Sequence, residues 1–246
     1  MNNKKKRVNI IEFTGLPGAG KSTLVSEIIK ELENTGYHCY NHEQVFKNLS
    51  ISNKWLNAIW YYLKNIKFTC LLFLYTFLSS PLAWRDLKYN FGRLQQLMKM
   101  IVMFEKGLGK ARSSSVMVFD QGIVQCIWSI TSLSGIANKS LLRRSVALKK
   151  HIFPGIIVYV QIDPGTAASR IAERASNCIF DSLSSAQTKE LFSEQKCNFP
   201  IIISILGEVY EPAILTINGN GLSRDNVKTL SGQLKKILED DSYRSR

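Results

Sequence analysis

An α/β fold built on a doubly wound parallel sheet follows from three observations on this sequence. Short, continuously apolar runs recur along it: VNIIEFT at Val8–Thr14, SVMVFD at Ser115–Asp120, IIVYVQI at Ile156–Ile162 and AILTI at Ala213–Ile217. Runs that do not alternate polar with apolar residues are typical of strands covered on both faces. Stretches with helical spacing separate them, so strand and helix alternate along the chain. The third observation is the glycine-rich segment Gly15-Leu16-Pro17-Gly18-Ala19-Gly20-Lys21-Ser22, set between the first strand and the first helix.

That segment, followed by Thr23, matches the phosphate-binding pattern G-x-x-x-x-G-K-[ST] at every defined position. Glycines let the backbone N–H groups turn inward around an anion. Lys21 would reach the β- and γ-phosphates, and the Ser22 hydroxyl would hold Mg²⁺. The helix after the loop is predicted over Ser22–Asn34, because Leu24, Val25, Ile28, Ile29 and Leu32 keep helical spacing and Gly36 stands where a C-terminal cap is expected. The expectation is a P-loop NTPase-type sheet of about five strands that binds a nucleoside triphosphate through Gly15–Thr23.

His38–Val45 is predicted as the second strand, with Glu43 near its end. A helical insertion, residues 46–112, comes next. Asn53–Phe77 and Arg85–Lys106 lack internal proline, Pro81 separates them, and Gly107-Leu108-Gly109 is expected to break the second helix. Leu94, Leu97, Met98, Ile101 and Val102 form a core-facing stripe. The third strand, Ser115–Asp120, ends in an acid. An aspartate there can cap the following helix, but beside a phosphate loop its expected role is to complete the Mg²⁺ shell with Ser22. After the Ile156–Ile162 strand, Asp163-Pro164 opens a helix through Thr166–Ala175. Arg170 and Arg174 are spaced four apart on it and so share a face. Two guanidinium groups there suit the spread charge of a transferring phosphoryl group. Ala213–Ile217 is the last strand and Asp225–Leu238 the terminal helix. No linker divides residues 1–246, which read as a single domain.

Composition narrows the function classes. Five scattered cysteines in no metal-ligand spacing fit a reducing, cytoplasmic setting better than a disulfide framework. Lys4-Lys5-Lys6-Arg7 opens no secretory leader, because Glu12 interrupts the apolar run behind it. The net charge is +13, and residues 46–112 hold +9 of it together with thirteen of the 25 aromatic residues. Three readings stay open for that region: a helical layer packed on the sheet, a basic pocket for an anionic or bulky acceptor, or a contact with an anionic membrane surface. Burial of most aromatics with a basic mouth toward the phosphate site is the expectation. Nucleic acid ranks last, since no recognised binding module accompanies the charge. A homodimer is also left open.

At five places the chain resembles the thymidylate kinase and deoxynucleoside kinase group of P-loop phosphotransferases. They are GLPGAGKST at Gly15–Thr23, Glu43, FDQG at Phe119–Gly122, IDPGTAASRIAERASNCIFD at Ile162–Asp181, and LTINGNGLSRDNVKTL at Leu215–Leu230. The resemblance implies an ATP- and Mg²⁺-dependent phosphotransferase acting on a small-molecule acceptor. It makes residues 163–200 a lid region, Arg170 and Arg174 lid arginines, and Glu43 the residue facing the acceptor. Lys21, Glu43, Asp120, Arg170 and Arg174 are then the catalytic candidates, and Ser22 with Asp120 the metal pair. Gln121 stands where the group usually has arginine, which leaves the acceptor a nucleoside, a nucleotide or another hydroxyl or phosphate compound. A nucleotide-switched protein that binds a membrane surface or a protein partner is the alternative.

Overall fold

The computed structural model describes residues 9–41, 43–44, 66–78, 87–110, 115–131, 139–174, 183–221 and 224–240. Five strands, β1 (Asn9–Thr14), β2 (His38–Asn41), β3 (Ser115–Phe119), β4 (Ile156–Gln161) and β5 (Ala213–Asn218), form one sheet in the order β2-β3-β1-β4-β5. Every pairing is parallel. From central β1 the chain builds β2 and β3 on one side, then crosses to build β4 and β5 on the other. Ligands of such sheets bind outside the carboxyl ends of the strands at this reversal, which is where β1 ends.

The strands form because their residues can be buried on both faces. Ile10–Thr14 and all of β3 are buried, as are Ile156–Val160 of β4. The helix α1 (Lys21–Asn34) buries Leu24, Val25, Ile28 and Leu32, and Gly36 follows its end at φ +90°. It packs against the sheet and against the last helix, α9 (Arg224–Glu239). Between β2 and β3 lie α2 (Ile66–Leu78) and α3 (Leu87–Lys110). Next come α4 (Ile123–Thr131) and α5 (Lys139–Leu148). Three helices separate β4 from β5: α6 (Pro164–Ala172), α7 (Ser185–Gln195) and α8 (Asn198–Tyr210). The second helical group centres on α4, which contacts β1, α3 and α8. Trp128 of α4 stacks on Phe199 of α8 at 4.7 Å between centroids and donates its indole N–H to Gln195 O.

Several boundaries differ from the sequence expectation for local reasons. The second strand stops at Asn41, not Val45. Asn41 and Gln44 exchange hydrogen bonds between side chain and backbone, a capping box that starts a helical turn. Gly107-Leu108-Gly109 does not end α3, which continues to Lys110. Two glycines disfavour a helix by roughly 1 kcal/mol each, a penalty that tertiary anchoring outweighs. Leu97, Met98, Ile101 and Phe104 are buried, Phe104 stacks on Phe119 of β3 at 4.4 Å, and Glu105 pairs with Lys149 at 2.5 Å. The helix expected to run through Ala175 is capped at its start by the Asp163 carboxylate, which accepts from Thr166 N, and ends at Ala172, where Arg174 N turns back to Ile171 O at 3.0 Å. Arg174 therefore lies past the helix end, and the two arginines share no helical face.

Of the aromatics in 46–112, Phe68, Tyr75 and Phe104 are buried, while Phe73 is exposed beside Leu74 on α2. Trp55 and Trp60, and the segment 53–65 of the first expected insertion helix, lie outside the described residues. No helix among the described residues is long and apolar enough to cross a membrane.

Candidate functional site

The glycine loop leaves β1 and curls at its carboxyl end, as the switch point of the sheet requires. Gly18 and Gly20 sit at φ +82° and +83°, in the left-handed region that residues with a Cβ avoid. A Cβ on Gly18 would stand 2.6 Å from Ala167 O of α6, so the loop also needs glycine for close packing. Gly20 is the N-terminal cap of α1 and supplies no side-chain acceptor. The first amides of α1 thus keep their hydrogen-bonding capacity, and the helix dipole adds partial positive charge. A helix start of this kind is a ready-made phosphate site.

Lys21 is buried and folds back over the loop, donating from Nζ to Gly15 O and Leu16 O, both at 2.9 Å. Burial pulls its ammonium down to about 8; the charge of Asp120 works against that fall, and the charge of Arg174 adds to it. Ser22 Oγ donates to Asp120 Oδ2 at 2.7 Å. This contact joins the start of α1 to the end of β3, 98 residues apart in sequence. A hydroxyl and a carboxylate meeting beside a phosphate cradle are the hard oxygen ligands that Mg²⁺ selects, so the residues fit that ion.

The two arginines expected to act together are placed differently. Arg170 is half-buried and donates to Gly219 O at 3.0 Å, Asn220 O at 3.3 Å and Gly18 O at 3.4 Å. It braces the phosphate loop against the turn after β5. Arg174 is exposed and is the one whose charge reaches Lys21. Glu43 lies exposed in the turn after β2. Leu16, Ala19 and Gly18 are buried, Pro17 is half-buried and Thr23 is exposed.

Sequence reasoning missed two residues at this site. Glu12 of β1 is fully buried, and its carboxylate accepts from Gln125 N at 2.8 Å and Val124 N at 3.1 Å, closing the start of α4. Desolvation pushes its carboxyl up to about 7, although the backbone amides of Gln125, Val124, Gly122 and Ile123 pull the other way. Gln125 Oε1 accepts from Thr14 Oγ1 and from Gly15 N, both at 3.1 Å, and so fixes the first amide of the loop. The available signal was a charged residue in the middle of an otherwise apolar strand, since burying a carboxylate demands partners.

A scan against protein-family models gives no match, and a search of curated proteins gives none either. Solved structures do match. Three structures of deoxyadenosine kinase from M. mycoides align over 92% of this chain and 99% of theirs, each at 18% identity. The fold is that of the P-loop deoxynucleoside kinases. The complex with dATP aligns at a TM-score of 0.52, that with the products dCMP and a flexible dCDP at 0.53, and that with dCTP at 0.50. These neighbours fall on the deoxynucleoside side of the resemblance, not the thymidylate side.

Proposed function

We propose that this protein is an ATP- and Mg²⁺-dependent kinase that phosphorylates a nucleoside. The observation that carries the proposal is the Ser22–Asp120 contact at 2.7 Å beside a complete phosphate loop. Two oxygen donors side by side next to a phosphate loop support a metal-bound triphosphate there. The solved deoxyadenosine kinases, which hold dATP, dCTP or dCMP with dCDP, support a nucleoside acceptor.

In this reading the amides of Gly15–Lys21 receive the donor phosphates, and Lys21 turns from the Gly15 and Leu16 carbonyls toward the β/γ oxygens. Ser22 and Asp120 would hold Mg²⁺, which would supply charge neutralisation for the donor phosphates. The acceptor hydroxyl oxygen forms a bond to the γ-phosphorus as the bond to the β-bridging oxygen breaks, and ADP departs. Glu43 orients the acceptor hydroxyl and takes its proton. Arg174 contributes positive charge at the transferring group, while Arg170 keeps the loop in register. The helices over 163–200 cover the site and exclude water, so transfer outruns hydrolysis.

The test is ADP release from ATP in the presence of Mg²⁺ and a panel of deoxynucleosides, nucleosides and nucleotides, with phosphorylated product identified by mass. A nucleoside-dependent burst of ADP, lost in Lys21→Ala, is expected. Slow hydrolysis unaffected by every acceptor would contradict the kinase reading.

A further inference from the structure

Glu12 is the one carboxylate set inside the sheet among the described residues, fully buried and on the strand that delivers the phosphate loop. Its two oxygens are both used: Oε1 accepts from Gln125 N and Oε2 from Val124 N. These are amides at the start of α4, which would otherwise lack partners within the helix. The cap is thus supplied across the fold, by a residue more than 110 positions away in sequence. Gly122 is shaped around it, since a Cβ there would stand 2.3 Å from both Cδ and Oε2 of Glu12.

Two residues before Gly122 is Asp120, and three after it is Gln125. The first meets Ser22, and the second holds Thr14 and the amide of Gly15. The β3–α4 turn is consequently pinned at three points: to β1 by Glu12, to the loop entrance by Gln125, and to the start of α1 by Asp120. The Glu12 and Gln125 attachments are both shielded from solvent, and of the three only that of Glu12 touches neither the phosphate loop nor α1.

We propose that Glu12 is a positioning residue of the phosphate site, its buried carboxylate fixing the start of α4 and thereby the place at which Asp120 meets Ser22. The proposal rests on the reading of Ser22 and Asp120 as the metal pair. It follows the general behaviour of metal sites, in which groups that orient the ligands matter almost as much as the ligands themselves. Glu12→Gln keeps the size of the side chain but turns an acceptor into an NH₂ group facing a backbone N–H, so one of the two amides loses its partner. Gly122→Ala displaces the carboxylate without altering it.

Binding of a fluorescent ribose-labelled ATP, titrated with Mg²⁺, provides the test, together with hydrogen exchange of residues 122–126 in metal-free protein. Glu12→Gln and Gly122→Ala should each raise the Mg²⁺ midpoint by roughly tenfold or more while nucleotide binding in EDTA stays within about twofold. Both should also speed exchange at Val124 and Gln125. The double variant Glu12→Ala/Gly122→Ala should match Glu12→Ala alone, because the clash that makes Gly122→Ala harmful is gone. Folded variants with an unmoved Mg²⁺ midpoint would overturn the proposal and leave Glu12 a stabilising cap. Failure of both single variants to fold would overturn it equally. If Mg²⁺ has no effect on nucleotide binding by the unaltered protein, or if Asp120→Asn leaves the Mg²⁺ midpoint unmoved, the metal-pair reading itself falls and takes the proposal with it. A Mg²⁺ response in the unaltered protein that Glu12 variants retain removes the proposal alone.

Discussion

The burial of Glu12 makes a signed prediction about stability against pH. In the unfolded chain its carboxyl ionises near 4.5, and in the folded protein burial raises this to about 7. Between those values the folded state holds a proton that the unfolded state has released, so rising pH favours unfolding. The contribution is fully present below pH 4.5 and is lost as pH rises through 7. With about 1.4 kcal/mol for each pH unit, a rise from 4.5 to about 7 corresponds to about 3 kcal/mol. The groups that feel the Glu12 charge do not titrate in this window. Cys126 is pushed up to about 12 and Tyr210 well above its ordinary range, in both cases mainly by burial. Arg93, beside Cys126, falls to about 10 and stays charged. The assay is urea unfolding of the unaltered protein and of Glu12→Gln, repeated at intervals from about pH 4.5 to pH 8 and compared at equal slope. Relative to the variant, the unaltered protein should lose about 3 kcal/mol across that range. A difference that stays constant with pH would show that Glu12 ionises like an exposed carboxylate, and would refute the account of its burial.

Four further outcomes are expected. Lys21→Ala should keep its circular dichroism spectrum while phosphoryl transfer falls on the order of 10²–10³-fold, because it removes a charge acting on the transferring group. Gly18→Ala should abolish nucleotide binding measured by calorimetry, since its Cβ would meet Ala167 O at 2.6 Å and the residue would be held at φ +82°. Arg170→Ala should raise the KM for ATP and lower the Tm, as three backbone carbonyls lose their donor. Arg174→Ala should instead lower kcat with little change in KM.

The glycine loop was legible because its geometry is compressed into consecutive residues. Glycines at Gly18 and Gly20, a lysine and a hydroxyl must follow one another for a loop to wrap a phosphate, so the sequence pattern and the geometry coincide. Asp120 was legible for a different reason. A strand buried on both faces leaves an apolar run, and the acid that terminates it stands at the carboxyl end of the sheet. What could not be read depends on contacts between distant segments. Arg170 and Arg174 have the same spacing as any pair on a helix. Only the end of the helix at Ala172 and the carbonyls of Gly219 and Asn220 separate their places. Glu12 was visible as an odd charge in a strand, but its partners at Val124 and Gln125 emerge only when β1 and α4 are packed together. The Asn41–Gln44 capping box was overlooked in favour of strand propensity in the residues around it, and Glu43 consequently moved from a strand to a helical turn.

The central claim is that the loop, Lys21, Ser22 and Asp120 together form a metal–triphosphate site. A crystal structure of the protein with a non-hydrolysable ATP analogue and Mg²⁺ tests it most directly. The account predicts the triphosphate along the amides of Gly15–Lys21, with Lys21 Nζ released from the Gly15 and Leu16 carbonyls. It also predicts the cation between Ser22 and Asp120, in place of their 2.7 Å hydrogen bond. A nucleotide bound elsewhere, or bound in the loop with that hydrogen bond intact and the metal held by other residues, would contradict it.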